Sequence, residues 1–246
     1  MTGRIRIGIG GWVYEPWRGS FYPAGLRQKD ELAYVGAHLT ATEINATYYS
    51  SQKPATFAGW AKAVPDGFQF AVKASRFCTN RKLLADAGES VAKFVGQGIA
   101  ELGDRLGPIL WQFMPTKKFD PEDFGAFLKL LPDSADGVPL RHALEVRHES
   151  FDDPRFLYLA RQAGAAVVLA DHPDYPAIRG EDVGFSYMRL MRAQADEPTG
   201  YSATDIARWA NQASEQAARG DVFAFFISGA KERNPAAAQA MIVALE

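Results

Sequence analysis

Residues 5–12 read Ile5-Arg6-Ile7-Gly8-Ile9-Gly10-Gly11-Trp12, and the way this stretch ends decides between two architectures. Ile5, Ile7 and Ile9 alternate with smaller or polar residues, the pattern of a short strand. As the first strand of an open, doubly wound sheet it would run into a GxGxxG turn and a helix, because that glycine spacing brings a helix N-terminus against a pyrophosphate. Gly8, Gly10 and Gly11 lack the spacing, and no helical stripe follows them. A sheet closed into a barrel is the remaining way to arrange parallel strands.

Working outward, further β-branched or aromatic runs occur at Ala41 to Asn45, Phe68 to Ala74, Ile109 to Phe113, Ala143 to His148, Ala166 to Asp171, Phe185 to Met191 and Val222 to Ile227, eight strands in all. Between most of them lie apolar residues at helical spacing, such as Phe57/Trp60/Ala61/Val64, Phe124/Phe127/Leu128/Leu131 and Ile206/Trp209/Ala210/Ala213. Pro54, Pro121 and Pro235 stand where helices begin, and Asp120 and Asn234 are the expected N-caps before the latter two. Strands that alternate with helices need right-handed crossovers, which lay a helical layer outside the sheet. The expected fold is therefore α/β, a single TIM-type (β/α)8 barrel of parallel strands spanning residues 1–246. Residues Pro173 to Val183 carry two prolines and no helical stripe, so helix six is expected to be reduced or missing.

Composition narrows the function. With 47% hydrophobic residues in 246, the chain can bury a full core, and 27 Lys and Arg against 29 Asp and Glu give a net charge of −2. That balance supplies no global field for nucleic acid or an anionic membrane. Cys78 is the only cysteine, which excludes an intrachain disulfide and a zinc site built on several thiolates. The N-terminus lacks an apolar signal region and no stretch reaches about 18 consecutive apolar residues. A cytoplasmic protein without a membrane segment is expected.

In a parallel barrel the strand C-termini meet at one face, and side chains two apart point the same way. Strand parity then directs Glu43 and Asn45, Lys73, Gln112, Glu145 and Arg147, Asp171 and Arg189 into the mouth. Three acids and three bases in one place imply mutual ion pairing, a wet cavity or a ligand. Glu43, Glu145, Lys73 and Asp171 are the candidate catalytic groups. The long loop after the first strand carries Trp12, Tyr14, Trp17, Phe21 and Tyr22, and Tyr48 follows the second. Trp12, Tyr14 and Tyr48 are candidate stacking surfaces for a ligand, whereas Trp17 and Phe21 are expected to anchor the loop. After strand eight, Ser228-Gly229-Ala230-Lys231-Glu232-Arg233 precedes a helix start and is compatible with an anion. Arg76, Arg81 and Lys82 form a second basic cluster. His148 and His172 adjoin strand-end charges and could join Glu43, Glu145 or Asp171 around a divalent cation, but spacing does not establish converging ligands; capping is their expected role, and no cofactor is assigned.

Several motifs in order carry a family resemblance: IGIGGWVYEPWRGSFYP, TEINATYY, FQFAVKASR, LGPILWQF, ALEVRHESF, VVLAD, and YMRL followed by YSATDIARWA. Together they make the chain resemble domain of unknown function family 72, the YecE-like proteins, over nearly its whole length. The resemblance implies a TIM-type barrel and no established activity. Position by position it carries over Glu43, Asn45, Lys73, Arg76, Glu145, Arg147, His148, Asp171 and Arg189. Where relatives commonly have Thr-His, Arg-Leu-His and Phe-Asn-Asn, this chain has Thr79-Asn80, Arg189-Leu190-Met191 and Phe226-Ile227-Ser228, and Phe151 replaces a usual Trp.

The function expected from these residues is general acid–base catalysis on a small polar, sugar- or phosphate-bearing substrate at the C-terminal mouth, as a hydrolase, lyase or isomerase. Glu43 or Glu145 would move the proton. Lys73, Arg147 and Arg189 would hold negative charge, with Trp12, Tyr14, Asn45, Tyr48, Arg76, Gln112 and His148 completing the binding site. The partner is then a small, anionic ligand. Two other classes compete: a nucleic-acid-associated barrel stacking bases on Trp12, Tyr14 and Tyr48 with Arg76, Arg81 and Lys82 on phosphates, and a non-catalytic binding barrel.

Overall fold

A computed structural model describes residues 2–246. Eight barrel strands run parallel: β1 Ile5–Gly10, β2 Ala41–Ile44, β3 Gln69–Lys73, β4 Leu106–Gln112, β5 His142–Glu145, β6, β7 Phe185–Leu190 and β8 Asp221–Phe226. Strand β6 consists of two segments, Ala166–Val167 paired with β5 and Leu169–Asp171 paired with β7. Each half bonds a different neighbour, and that is how the ring closes. Pairing follows chain order elsewhere, with β8 completing the circuit beside β1.

Seven helices of at least eight residues lie among the described residues: α1 Glu31–His38, α2 Pro54–Lys62, α3 Gly88–Val95, α4 Pro121–Leu128, α5 Pro154–Gln162, α6 Ala203–Ala217 and α7 Asn234–Val243. Their starts follow side-chain chemistry. Asp120 accepts from the N–H groups of Glu122 and Asp123, Asp153 from that of Arg155 and Ser202 from that of Asp205. Asn234 does not cap α7 as its position before Pro235 suggests; it is the first helical residue, and its side chain is left for other partners. No helix forms between Asp171 and Phe185. A groove of about 1070 Å³ lies there, between the outer side of β6 and α6.

The barrel interior is layered. At the base Asp221 accepts from Arg6 Nη1 at 3.0 Å and Arg141 Nη1 at 3.1 Å, and Arg141 Nη2 donates to Gln69 Oε1. Arg141 also lies 4.8 Å from the Phe223 ring centre, so a polar plug sits under an aromatic floor. Above it, Ala41, Ala71, Ala143, Ala166 and Ala170 leave room for Phe223, Phe225 and Tyr187. Outside the sheet, the aromatic cluster of Phe113, Phe119, Phe124 and Phe156 receives Phe151, whose ring fills its place without an indole.

Crowding is greatest beside β1. A side chain at Gly8 would meet the Ala41 carbonyl oxygen at 2.1 Å and the Phe225 ring at 3.2 Å, so the glycine is needed for β1 to pair with β2 and still clear Phe225. Gly8→Ala is expected to destabilise the chain by about 3 kcal/mol, the upper range for an overpacked core. Denaturant midpoints read with an unchanged slope check this, and an unaltered midpoint would contradict the packing described.

Candidate active site at the barrel mouth

The top layer is built from the last inward residues of five strands, Glu43, Lys73, Gln112, Glu145 and Arg189. Arg189 on β7 is 2% exposed and spans the barrel. Its Nε and Nη2 grip both oxygens of Glu43 at 3.1 and 3.0 Å, and its Nη1 donates to Glu145 Oε2 at 2.6 Å. Glu43 also accepts the Tyr187 hydroxyl at 2.8 Å. Glu145 also accepts from Gln112 Nε2 at 3.0 Å and Arg147 Nε at 2.7 Å. Both carboxylates are 0% exposed, and every oxygen holds at least one donor.

Electrostatics follows from this pairing. Burial opposes the charge on Glu145, but Arg189 and Arg147 outweigh it and hold the carboxyl down at about 2. Burial likewise opposes the Arg189 charge, which Glu145 and Glu43 more than restore. Tyr187 is pushed well above its ordinary value by burial and by Glu43, which keeps it a donor. Lys73 differs. Burial lowers its amine to about 8 and Arg189 adds to that, with Glu43 and Glu145 only partly compensating. Its Nζ lies 4.2 Å from the Tyr48 ring centre, and among the described residues no carboxylate comes within 4.0 Å of it.

Above this layer opens a cavity of about 590 Å³, lined by Trp12, Asn45, Lys73, Gln112, Arg147, Arg189, Ser228, Lys231 and Asn234 among others. Four cations, Lys73, Arg147, Arg189 and Lys231, meet two carboxylates, Glu43 and Glu145, so the charge around it is positive. Asn45 is fixed by donating to the Glu43 carbonyl at 3.3 Å. Trp12 packs edge-on against Trp60, at 5.2 Å between ring centres.

Other candidates lie elsewhere. Asp171 is turned away from the mouth: Ala166, Val168 and Ala170 fill the interior of β6, and Asp171 pairs with Arg192 at 3.2 Å on the helix side. The bulky Val167 and Leu169 share its parity and were the signal for this outward placement. Arg76 is exposed, over the ring of Phe77, and is not part of the cavity lining. His148 accepts from the Ser150 N–H at 3.1 Å and caps the turn Glu149–Phe151. Tyr14 packs on Trp17 and under Lys231, with the amine 4.2 Å from its ring centre, and Tyr48 carries Lys73 while accepting from Asn80 Nδ2 at 3.0 Å. Trp17 is fully buried and anchors the loop, donating to the Lys231 carbonyl at 3.0 Å.

Two participants escape a strand-end search. Tyr187 lies one layer below the mouth, and its signal is inward parity with Arg189. Tyr175, in the loop that replaces helix six, accepts from Arg147 Nη1 at 3.2 Å and stacks on His172 at 3.8 Å. Among the described residues, no three His, Cys, Asp or Glu side chains gather to hold a metal ion.

Residues 6–246 match the family model described as "Protein of unknown function DUF72". The chain belongs to the DUF72 family. It is similar to UPF0759 protein YunF of Bacillus subtilis (strain 168), 27% identical over 157 residues, which is 62% of this chain and about half, 54%, of that protein. A DUF72 family protein of Thermotoga maritima MSB8 superposes with a TM-score of 0.74 at 23% identity, covering 97% of each chain. Another, from Enterococcus faecalis V583, gives 0.73 at 19%, covering 98% of this chain and 95% of that one. A structure titled SacUVDE gives 0.59 at 10%, covering 98% and 97%. These likenesses show the TIM-type fold for this DUF72 chain and leave its chemistry to its own side chains.

Removing Arg189 strands two buried carboxylates. Arg189→Met is expected to cost about 3–5 kcal/mol in chemical denaturation, the range for breaking a buried pair on one side. The low Glu145 pKa gives stability that is full above about 4.5, its ordinary value, and is lost as the pH falls through about 2. Unfolding followed against pH in wild type and Glu145→Gln should show that acid-side slope shrink in the variant.

Proposed function

We propose that this DUF72 barrel is a cytoplasmic enzyme performing general acid–base chemistry on a small, polar, anionic substrate bound in the mouth cavity. One observation carries the reading: every oxygen of Glu43 and Glu145 is bonded by Arg189 and its neighbours, whereas Lys73 faces the cavity with, among the described residues, no carboxylate within 4.0 Å. Buried and fully bonded carboxylates are poor proton carriers, since each transfer would break donors that have nowhere else to go. They serve as fixed counter-charges. The proton-transfer role passes to Lys73, whose amine at about 8 is partly neutral at physiological pH and can accept a proton from an O–H or an acidic C–H.

The remaining groups fit that task. Arg147 keeps its guanidinium on the cavity wall while bonded to Glu145 and Tyr175, and a planar fork suits a carboxylate or an enolate oxygen. Arg189 stays charged and supplies a positive potential at the cavity floor without reorganising during reaction. Gln112 and Asn45 add neutral donors at the same level. The proposed chemistry uses these side chains alone and assigns no cofactor.

The nucleic-acid alternative is disfavoured by the commitments of its residues. Lys73 covers the Tyr48 ring, Lys231 covers Tyr14, and Arg81 Nη1 is tied to the Asp86 carbonyl at 2.6 Å. A binder without turnover would be recognised by affinity for a metabolite that no condition converts.

Acylation of Lys73 by a limiting amine reagent, read by peptide mass spectrometry against pH, should show a midpoint near 8, while exposed lysines titrate at about 10.4. A panel of sugar phosphates and hydroxy acids in heavy water, followed by NMR, should reveal exchange or turnover that rises through the same pH. Lys73→Met should lower it by about 10²–10⁴-fold. A substrate turned over equally by Lys73→Met would overturn the assignment.

A further inference from the structure

The corner of the mouth between β8 and α7 holds polar groups that the proton-transfer reading does not use. Asn234, the first residue of the ten-residue helix α7, is 1% exposed and lines the cavity. Its Oδ1 has no partner, and its carboxamide makes no hydrogen bond among the described residues. A buried carboxamide can present either its donor or its acceptor by a half-turn about its last bond, so this one is equipped for a ligand. Lys231 lines the same corner, half-buried, 4.2 Å from the Tyr14 ring centre and 5.6 Å from that of Trp17. Among the described residues no carboxylate lies within 4.0 Å of its amine, and burial lowers its pKa. Its carbonyl accepts from both Trp17 Nε1 and the Asn234 N–H, which ties the lysine backbone to the start of the helix.

The turn that brings these groups together is tightly held. Ser228 and Gly229 take left-handed φ values of 67° and 59°, and the Ala230 N–H donates to the Ala193 carbonyl at 2.7 Å. A side chain at Gly229 would meet that same carbonyl oxygen at 2.6 Å. The chain is therefore bent back against the loop after β7, and the next residues return over the cavity.

We propose that Lys231 and Asn234 bind the phosphate group of a small phosphorylated substrate, whose remaining atoms extend across the cavity toward Lys73. The inference rests on the mouth being the substrate site and adds the substrate class to that reading. A compact ammonium and a carboxamide at the positive end of a helix suit a tetrahedral dianion. The planar fork of Arg147, on the opposite wall, suits a flat carboxylate or enolate instead. The two ends of the cavity thus differ in the anion they recognise, and its volume of about 590 Å³ suits a ligand of phosphosugar size.

Inorganic phosphate titrated into the full chain, read by calorimetry and by phosphorus NMR line width, is the direct test. Wild type should bind saturably. Lys231→Met should weaken binding about tenfold, the worth of one charge-assisted hydrogen bond, and Lys231→Arg should retain most of it. Asn234→Asp should abolish binding by like-charge repulsion, and Asn234→Ala should weaken it, with thermal unfolding confirming that each variant is folded. Phosphate affinity unchanged in both Lys231→Met and Asn234→Asp, or lost only in Arg147→Met, would overturn the subsite. Lys73 acylation is read in the same samples: a midpoint near 8 without phosphate binding removes this subsite alone, whereas phosphate binding lost in both variants supports it whatever Lys73 does.

Discussion

The buried guanidinium of Arg189 is the interaction on which the mouth depends. It joins β7 to β2 through Glu43 and to β5 through Glu145, three strands that are not neighbours in the sheet. A single side chain with a rigid fork can satisfy two carboxylates at once, and neither acid would tolerate full burial alone. The pairing also leaves a remainder. Both acids are held by Arg189 and Arg147, and among the described residues Lys73 has no carboxylate within 4.0 Å; burial lowers its amine, with Arg189 adding to the effect and the two glutamates only partly opposing it. The lysine beside the pair is thus kept apart from direct ion pairing and lowered chiefly by burial.

The same logic separates the two ends of the barrel. At the base, Arg6, Arg141, Asp221 and Gln69 bond to one another over an aromatic floor, and they seal it. At the top, the ion pairs are as complete, but a cavity lies beside them. Cations outnumber acids at both ends, so setting rather than stoichiometry separates them: at the base Arg6 and Arg141 share Asp221 beneath aromatic rings, whereas at the top the cations border an open cavity. A small middle layer of alanines allows both, because Phe223, Phe225 and Tyr187 can fill the space between.

Much of the fold was legible because its causes are local. Alternation at Ile5, Ile7 and Ile9, the prolines at 54, 121 and 235, and the proline-bearing stretch before Phe185 each speak through a few neighbouring residues. Parity also placed Glu43, Lys73, Gln112, Glu145 and Arg189 at one level. It missed Asp171, where the broken strand β6 puts alanines inside, and it said nothing of the base plug, although Arg6 and Asp221 continue the inward sets of β1 and β8. What sequence spacing does not carry is the distribution of partners. That both glutamates are saturated while Lys73 is not, and that Asn234 enters its helix and leaves its carboxamide unbonded, depend on distances between strands far apart in the chain.

The absent helix six has a mechanical consequence. Strand β6 is split at Val168, shares its two halves between different neighbours and, with the start of β7, faces an open groove. Amide protons of this strand are therefore expected to exchange with solvent through smaller openings than those of the strands covered on their outer side, which would make β6 a seam in the barrel. Tyr175 follows that seam and accepts from Arg147, so any opening of β6 would be felt by a guanidinium that lines the cavity.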